Sequence, residues 1–351
     1  MWLVIFGAGA SFDSADMGHM MEFGAAFSAA RLPLAKDLVS GRFDDIATEI
    51  PGSRSIVDLL RGEITQDAAA SLETALANIA AESGGDAIRR QQLIAFRFYL
   101  HRVIADTATN WLRTTRGFTH YLTLMNALYR WHRRTGTPLL LATFNYDVLL
   151  DIAVQDAVTG WEFFGQLPNY IDRDDFRLFK LHGSTDWARV IPTQEIQGSE
   201  TLRITRGLIA EDRFPTGEIE ARQPSLLIDS DELIRLPAMA VPMAGKTAFE
   251  CPTKHVDALR ASMKDVTHVL IIGWRAAEPH AVELLAGKMA DEGLRPGYAL
   301  GLVTGSDDDA EEVRTNLGPV WDKARVRFID AGGFSAFIRT LTVRLSDLLS
   351  D

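Results

Sequence analysis

The sequence predicts an α/β protein built on a Rossmann-like doubly wound parallel sheet, with an inserted helical module. Two observations carry that expectation. Short runs rich in Val, Ile and Leu recur along the 351-residue chain, bounded by turn residues, as expected of parallel strands covered on both faces. Helical patterns follow three of these runs, and strand alternating with helix is the doubly wound signature.

The first run, "WLVIF" (2–6), passes directly into the glycine-rich turn "GAGAS" (7–11). Between it and the next strand lie helical patterns only. "SIVDLLRGEI", "AAASLETALANIAA", "IRRQQLIAFRFYLHRVIADTATNWL" and "YLTLMNALYRWHRR" carry apolar residues at helical spacing. This stretch is too long for a crossover, so 42–136 reads as the inserted helical module, its Phe96, Tyr99, Leu100, Trp111, Leu122, Met125 and Tyr129 forming core. "PLLLATF" (138–144) is the second strand, with a helix from Asp147, and Leu178–Leu181 reads as another. Residues 184–250 hold short strand-like pieces and several prolines, and read as loops with a small β layer. "HVLIIG" (268–273) is followed by a helix from Pro279, "YALGLVT" (298–304) by one from Asp308, and "RVRFID" (325–330) by "FSAFIRTLTVRLSDLL". The whole, 1–351, reads as one domain enclosing these two insertions.

Composition narrows the function classes. Lys and Arg number 36 against 47 Asp and Glu, a net charge of −11. Phosphate backbones are bound chiefly by Lys and Arg, so no direct nucleic-acid binding is expected. The single cysteine, Cys251, excludes an internal disulfide framework and a zinc site of four cysteines, and no metal-ligand pattern appears among the histidines. No basic segment precedes the first apolar strand, and no stretch approaches the roughly 20 apolar residues of a membrane span. A cytoplasmic protein without membrane contact is expected.

The chemistry-bearing residues fall at strand ends, where doubly wound sheets bind ligands. In Gly7-Ala8-Gly9-Ala10-Ser11, small residues let the backbone approach a pyrophosphate, and free N–H groups in the turn can donate to it. Phe12 stands where a dinucleotide fingerprint has its third glycine, so the motif alone can also be read as a tight turn without ligand. Asn145 and Asp147 follow the second strand, and Asp147 is also a natural helix cap. His182 with Gly183 and Ser184 ends another strand. Gly273-Trp274 and Thr304-Gly305 end two more, and the acidic run 307–309 reads as a solvated helix start.

The order of these motifs resembles the sirtuin-like family. That family carries a Gly-Ala-Gly-x-Ser turn, then Asn-x-Asp, His-Gly-Ser, a glycine-rich strand end and a ribose-contacting strand end. Here they match Gly7–Ser11, Asn145–Asp147, His182–Ser184, Gly273-Trp274 and Val303–Ser306, covering roughly 1–40 and 138–330 but not the helical stretch. The zinc-binding cysteines of the family's protein deacylases have no counterpart, and "FDSADMGHMM" lacks their Pro-Asp-Phe-Arg segment. "RLPLAKDL" (31–38), "KLHGSTDW" (180–187) and "PAMAVPMAGK" (237–246) instead look like the bacterial branch that hydrolyses NAD during phage defence.

The resemblance implies NAD as substrate, no zinc, and cleavage to nicotinamide and ADP-ribose or a cyclised relative. It implies His182 as base, Asn145 holding water or a ribose hydroxyl, and Asp147 orienting Asn145 or contacting ribose. Gly7, Ala8, Gly9, Ala10, Ser11, Asp13, Gly183, Ser184, Gly273, Trp274, Thr304 and Gly305 would line the NAD site. A homo-oligomer is expected, with an activating partner of ATPase, helicase or Argonaute type. A protein deacylase and a non-catalytic NAD- or nucleotide-binding subunit are the alternatives.

Overall fold

The computed structural model describes residues 1–16, 30–50, 52–66, 71–84, 86–158, 160, 166–192, 218–224, 233–243, 248–287 and 292–349. The chain forms two compact units: Met1–Leu32, Ala108–His182 and Thr247–Asp351 make the first, and Pro33–Thr107 with Gly183–Lys246 the second.

The first unit holds a six-stranded parallel sheet. Its strands are β1 (Trp2–Phe6), β2 (Leu139–Thr143), β3 (Phe176–Lys180), β7 (His268–Ile272), β8 (Ala299–Val303) and β9 (Arg325–Asp330). Their spatial order is β3-β2-β1-β7-β8-β9. Every run read as a parallel strand is in this sheet, in register from Trp2↔Leu139 and Trp2↔His268 at one end to Phe6↔Thr143 and Phe6↔Ile272 at the other. β1, β2 and β8 are buried at all positions, which explains their unbroken apolar sequences.

The helices of this unit are α1 (Ala8–Phe12), α6 (His120–Thr135), α7 (Leu149–Ala157), α8 (Thr253–Ser262), α9 (Pro279–Ala286), α10 (Asp307–Leu317), α11 (Pro319–Asp322), α12 (Gly333–Arg339) and α13 (Leu341–Leu349), with the end of α5 (Ala87–Thr115). On one face of the sheet, Leu3, Ile5, Leu140, Ile271, Leu300 and Leu302 share a core with Leu284 and Val313. Trp2 and Phe6 point the other way, onto Trp131 and Tyr121 of α6, with ring centroids 4.8 and 5.3 Å apart. α6 owes its limits to its caps. The Thr119 hydroxyl accepts from Leu122 N–H, Gly136 closes the other end at φ +67°, and His132, Arg133 and Arg134 fill the last turn.

The second unit holds α2 (Asp44–Glu49), α3 (Ser53–Gln66), α4 (Leu72–Glu82), most of α5, and a three-stranded antiparallel sheet. That sheet is ordered β5-β4-β6, from β4 (Gly183–Pro192), β5 (Ile219–Glu220) and β6 (Leu233–Met239). Phe96, Tyr99 and Leu100 are core residues of this unit, whereas Trp111 and Met125 are buried in the first. Residues 237–239, the start of "PAMAVPMAGK", end β6. Pro237 is accommodated because β6 is an edge strand. Residues 244–246 of "PAMAVPMAGK", 17–21 of "FDSADMGHMM" and 288–290 of the helix after Pro279 lie outside the described residues. Among the described residues, no helix is long and apolar enough to cross a membrane.

Candidate functional site

The chain leaves β1 for β2 and β3 on one side, and later builds β7, β8 and β9 on the other. The topological switch point therefore lies between β1 and β7, and ligands of doubly wound sheets bind at the carboxyl ends beside that point. The residues there are Gly7 and Gly273.

These glycines serve each other. A Cβ on Gly7 would lie 2.5 Å from Gly273 O and from Trp274 Cα; one on Gly273, which sits at φ +61°, would lie 2.3 Å from Ala10 N. Gly7 N–H donates to Ile272 O, Gly9 N–H to Gly273 O and Ala10 N–H to Gly7 O. Three N–H groups of the turn are thus committed within the protein. Ala8, exposed at the start of α1, keeps its N–H outside these bonds. Phe12 needs no glycine in its place, because α1 ends there after five residues, and the Arg31 guanidinium lies 3.5 Å from its ring centroid.

Ser11 and Asn145 meet in one buried network. Asn145 Nδ2 donates to Gly7 O at 2.8 Å, Ser11 Oγ at 2.9 Å and Tyr121 OH at 3.1 Å. Because Gly7 O can only accept, this carboxamide orientation is fixed by chemistry. Ser11 Oγ donates to Asp147 Oδ2 at 2.7 Å, so Tyr121 OH, 2.9 Å away, donates to Ser11. Asp147 Oδ1 accepts from Leu149 N–H at the start of α7. Asp147 thus holds the first N–H of its helix from one residue before the N-cap, Val148, and anchors Ser11 at once; it bonds to Asn145 only through Ser11. Burial holds its carboxyl above the usual carboxylate range, against the pull of Lys180 and the Ser11 hydroxyl.

Beneath lies a buried ion pair. Lys180, at the end of β3, is fully buried, and its Nζ donates to Asp147 O and Asp151 Oδ2, both at 2.6 Å. Tyr170 OH donates to Asp151 Oδ1 at 3.0 Å.

His182 follows β3 by two residues and is 5% exposed. Its ring lies 5.0 Å from Phe144, 6.2 Å from Tyr146 and 6.3 Å from His280, centroid to centroid. Phe144 stacks at 4.7 Å on Trp274, whose Nε1 donates to Glu278, and Phe249 meets His280 edge-on at 4.4 Å. The Glu278 side chain therefore holds Trp274 rather than capping α9. Trp274 and His182 belong to one aromatic shell across the ends of β2, β3 and β7.

Thr304, directly after β8, is buried, with its hydroxyl on Ser306 O, while Gly305 is exposed. Ser306 caps α10 by accepting from Asp309 N–H, and Asp307 and Asp308 are exposed in its first turn. Asp13 points to α12 instead of the crevice: Oδ2 accepts from Ser335 N–H at 2.8 Å and Oδ1 from Ser335 Oγ at 2.6 Å. Gly183 and Ser184 begin β4 in the second unit. Gly183 sits at φ +83°, where a Cβ would lie 2.0 Å from Ala238 O, and the buried Ser184 Oγ accepts from Asp186 N–H. Burial pushes the half-buried Cys251 thiol up to about 12, leaving it unreactive at neutral pH. Among the described residues, no three His, Cys, Asp or Glu side chains are grouped to hold a metal.

No protein-family model and no curated protein matches the chain. Solved structures do align with it. One described as a Sir2 homolog–NAD complex is 14% identical, with TM-score 0.44, and the alignment covers 99% of this chain and 91% of that one. One concerning the mechanism and regulation of Sir2 enzymes is 11% identical, with TM-score 0.41 and coverage of 100% and 93%. One of Sir2Tm bound to a propionylated peptide is 12% identical, with TM-score 0.40 and coverage of 99% and 94%.

Proposed function

We propose that the chain hydrolyses NAD to nicotinamide and ADP-ribose, as a regulated effector of bacterial antiphage defence acting in the cytoplasm. One observation carries the reading. His182 and the oriented Asn145 follow adjacent strands of a doubly wound sheet, beside the glycine-lined switch point. The order of the motifs along the chain supports the choice of NAD.

The chemistry asks for little covalent help. The glycosidic bond to the pyridinium breaks, and its electron pair returns to the ring as neutral nicotinamide leaves. Water adds at the ribose carbon, and its proton passes to His182 and then to solvent. A neutral imidazole suits that task near pH 7. The Asn145 Oδ1, which accepts nothing from the described residues, is set to hold a ribose hydroxyl or the water. Phe144, Tyr146 and Trp274 would keep the site dry and turn aromatic faces to the cationic transition state. Ala8 N–H and the exposed Gly305 are the groups fitted to phosphate and ribose. An unrestrained activity of this kind would exhaust its own cell, so activity is expected in an assembly, with further copies or an activating ATPase, helicase or Argonaute-type partner.

The test is NAD consumption by the purified protein, with and without the products of neighbouring genes, for wild type, His182→Ala and Asn145→Ala. Turnover in wild type and its loss in both variants, each still folded, supports the reading. Wild-type rates in both variants overturn it. Nicotinamide release that depends strictly on an acylated peptide would make the chain a deacylase. Intact NAD recovered from the full assembly would make it a binding subunit.

A further inference from the structure

Tyr121 comes from α6, a helix with no role in the reaction derived above, and its hydroxyl reaches the middle of the Ser11–Asn145 network. Its ring is fixed by Phe6 at 5.3 Å and by Phe334 of α12 at 5.5 Å, edge-on. The hydroxyl is 2.9 Å from Ser11 Oγ and 3.1 Å from Asn145 Nδ2. Burial pushes this phenol far above its ordinary range, so it remains a permanent donor. The proton pattern is then determined. Ser11 gives its one proton to Asp147, takes one from Tyr121, and Tyr121 accepts from the Asn145 amide.

We propose that Tyr121 is a positioning residue for the reaction at Asn145: its hydroxyl holds the carboxamide plane, and so aims Oδ1 at the reacting ribose. The proposal rests on the reading that Asn145 faces that ribose. Counting protons shows why the phenol matters. Asn145 Nδ2 has two protons, of which Gly7 O takes one, and Ser11 Oγ and Tyr121 OH share the other. Without the phenol, Ser11 loses one of its two donors, and the Asn145 proton that the two hydroxyls shared falls to Ser11 Oγ alone, which draws the carboxamide toward Ser11 about its bond to Gly7 O. A tilt of that plane moves Oδ1, while the fold around it stays closed.

Tyr170 provides a matched control. It is equally buried and donates its hydroxyl to Asp151, part of the same polar layer, with no bond to Ser11 or Asn145. Tyr121→Phe and Tyr170→Phe each delete one buried phenolic hydroxyl and should lower the unfolding midpoint comparably. Tyr121→Phe should reduce kcat for NAD by roughly tenfold to a hundredfold, as expected for a misplaced reacting group, and leave KM within about twofold. Tyr170→Phe should keep the wild-type kcat. Equal kcat in Tyr121→Phe and wild type overturns the proposal, as does an equal loss in both variants. A second measurement stands apart from the activity. The Asn145 side-chain amide, assigned by its disappearance in Asn145→Asp, should shift in the ¹H–¹⁵N spectrum of Tyr121→Phe and not in that of Tyr170→Phe. If wild type consumes no NAD under any condition, the proposed activity fails, and an unmoved amide in Tyr121→Phe still sinks the positioning role by itself.

Discussion

Gly273→Ala offers the sharpest test of the switch point. The new methyl has two costs that can be separated. An L-residue in the left-handed region, here φ +61°, costs about 1–2 kcal/mol. The Cβ would also stand 2.3 Å from Ala10 N, 2.6 Å from Gly9 C and 2.8 Å from Gly9 Cα, all main-chain atoms that no rotamer change can move. Ordinary contact begins at 3.4 Å, so the β1 and β7 ends must part by about 1 Å (3.4 − 2.3), stretching the Gly9 N–H to Gly273 O bond. Overpacking of this kind adds about 1–3 kcal/mol. The total, about 2–5 kcal/mol, corresponds to a Tm lower by roughly 4–20 °C at about 2–4 °C per kcal/mol. Gly136→Ala isolates the first cost, because Gly136 has φ +67° and nothing lies within 4 Å of the place its methyl would take. Thermal and denaturant unfolding should therefore rank wild type, Gly136→Ala and Gly273→Ala in descending stability, and NAD turnover should fall in Gly273→Ala alone. Equal stability of the two glycine variants would refute the interlocking of β1 and β7.

Two further predictions concern stability. Burial, opposed by a hydrogen bond to the Leu167 backbone, brings the His255 pKa down to about 4 from 6.5. The unfolded chain then binds a proton that the folded chain refuses, so this contribution is whole above about pH 6.5 and is lost as pH falls toward 4. The interval from 6.5 to about 4, at about 1.4 kcal/mol per pH unit, sets a ceiling of about 3 kcal/mol; denaturant titrations of His255→Gln should show a flatter acid limb than wild type, and identical limbs would contradict the assignment. Lys180→Met strands the buried Asp151 carboxylate and should cost about 3–5 kcal/mol, much of it regained in Lys180→Met/Asp151→Leu. A double variant no more stable than the single one would show that the pair is not what Asp151 requires.

The sheet was legible because its strands are buried on both faces, and burial writes itself into sequence as unbroken apolar runs. Asn145, Asp147 and His182 were legible for a related reason: polar residues directly after such runs stand out. Tyr121 was not, because its spacing in α6 matches the apolar stripe, and its ring does pack as core; only the tertiary fold brings its hydroxyl to Ser11. Lys180 was hidden similarly, as a cation ending the strand "FRLFK", with Asp151 29 positions away in α7. The glycines carried a different ambiguity. A tight turn that admits phosphate and one that admits a neighbouring strand demand the same residue, and here Gly7 and Gly273 are required by the neighbour. Asp13 shows the limit of proximity in sequence, since its carboxylate is taken up by Ser335, 322 positions on.

The Lys180–Asp151 pair also bears on how errors in assembly are refused. Lys180 faces Thr143 across the β2–β3 ladder. A slip of β3 by one residue would turn Lys180 to the opposite face and carry the backbone of His182 about 3.3 Å along the strand. Such a misthreaded sheet would keep most of its apolar contacts and would otherwise compete with the native one. Lys180 and Asp151 pair in the native alignment, and a slip that turns Lys180 to the other face would leave each buried charge without that partner. The pair thus favours the one register of the strand that leads into His182.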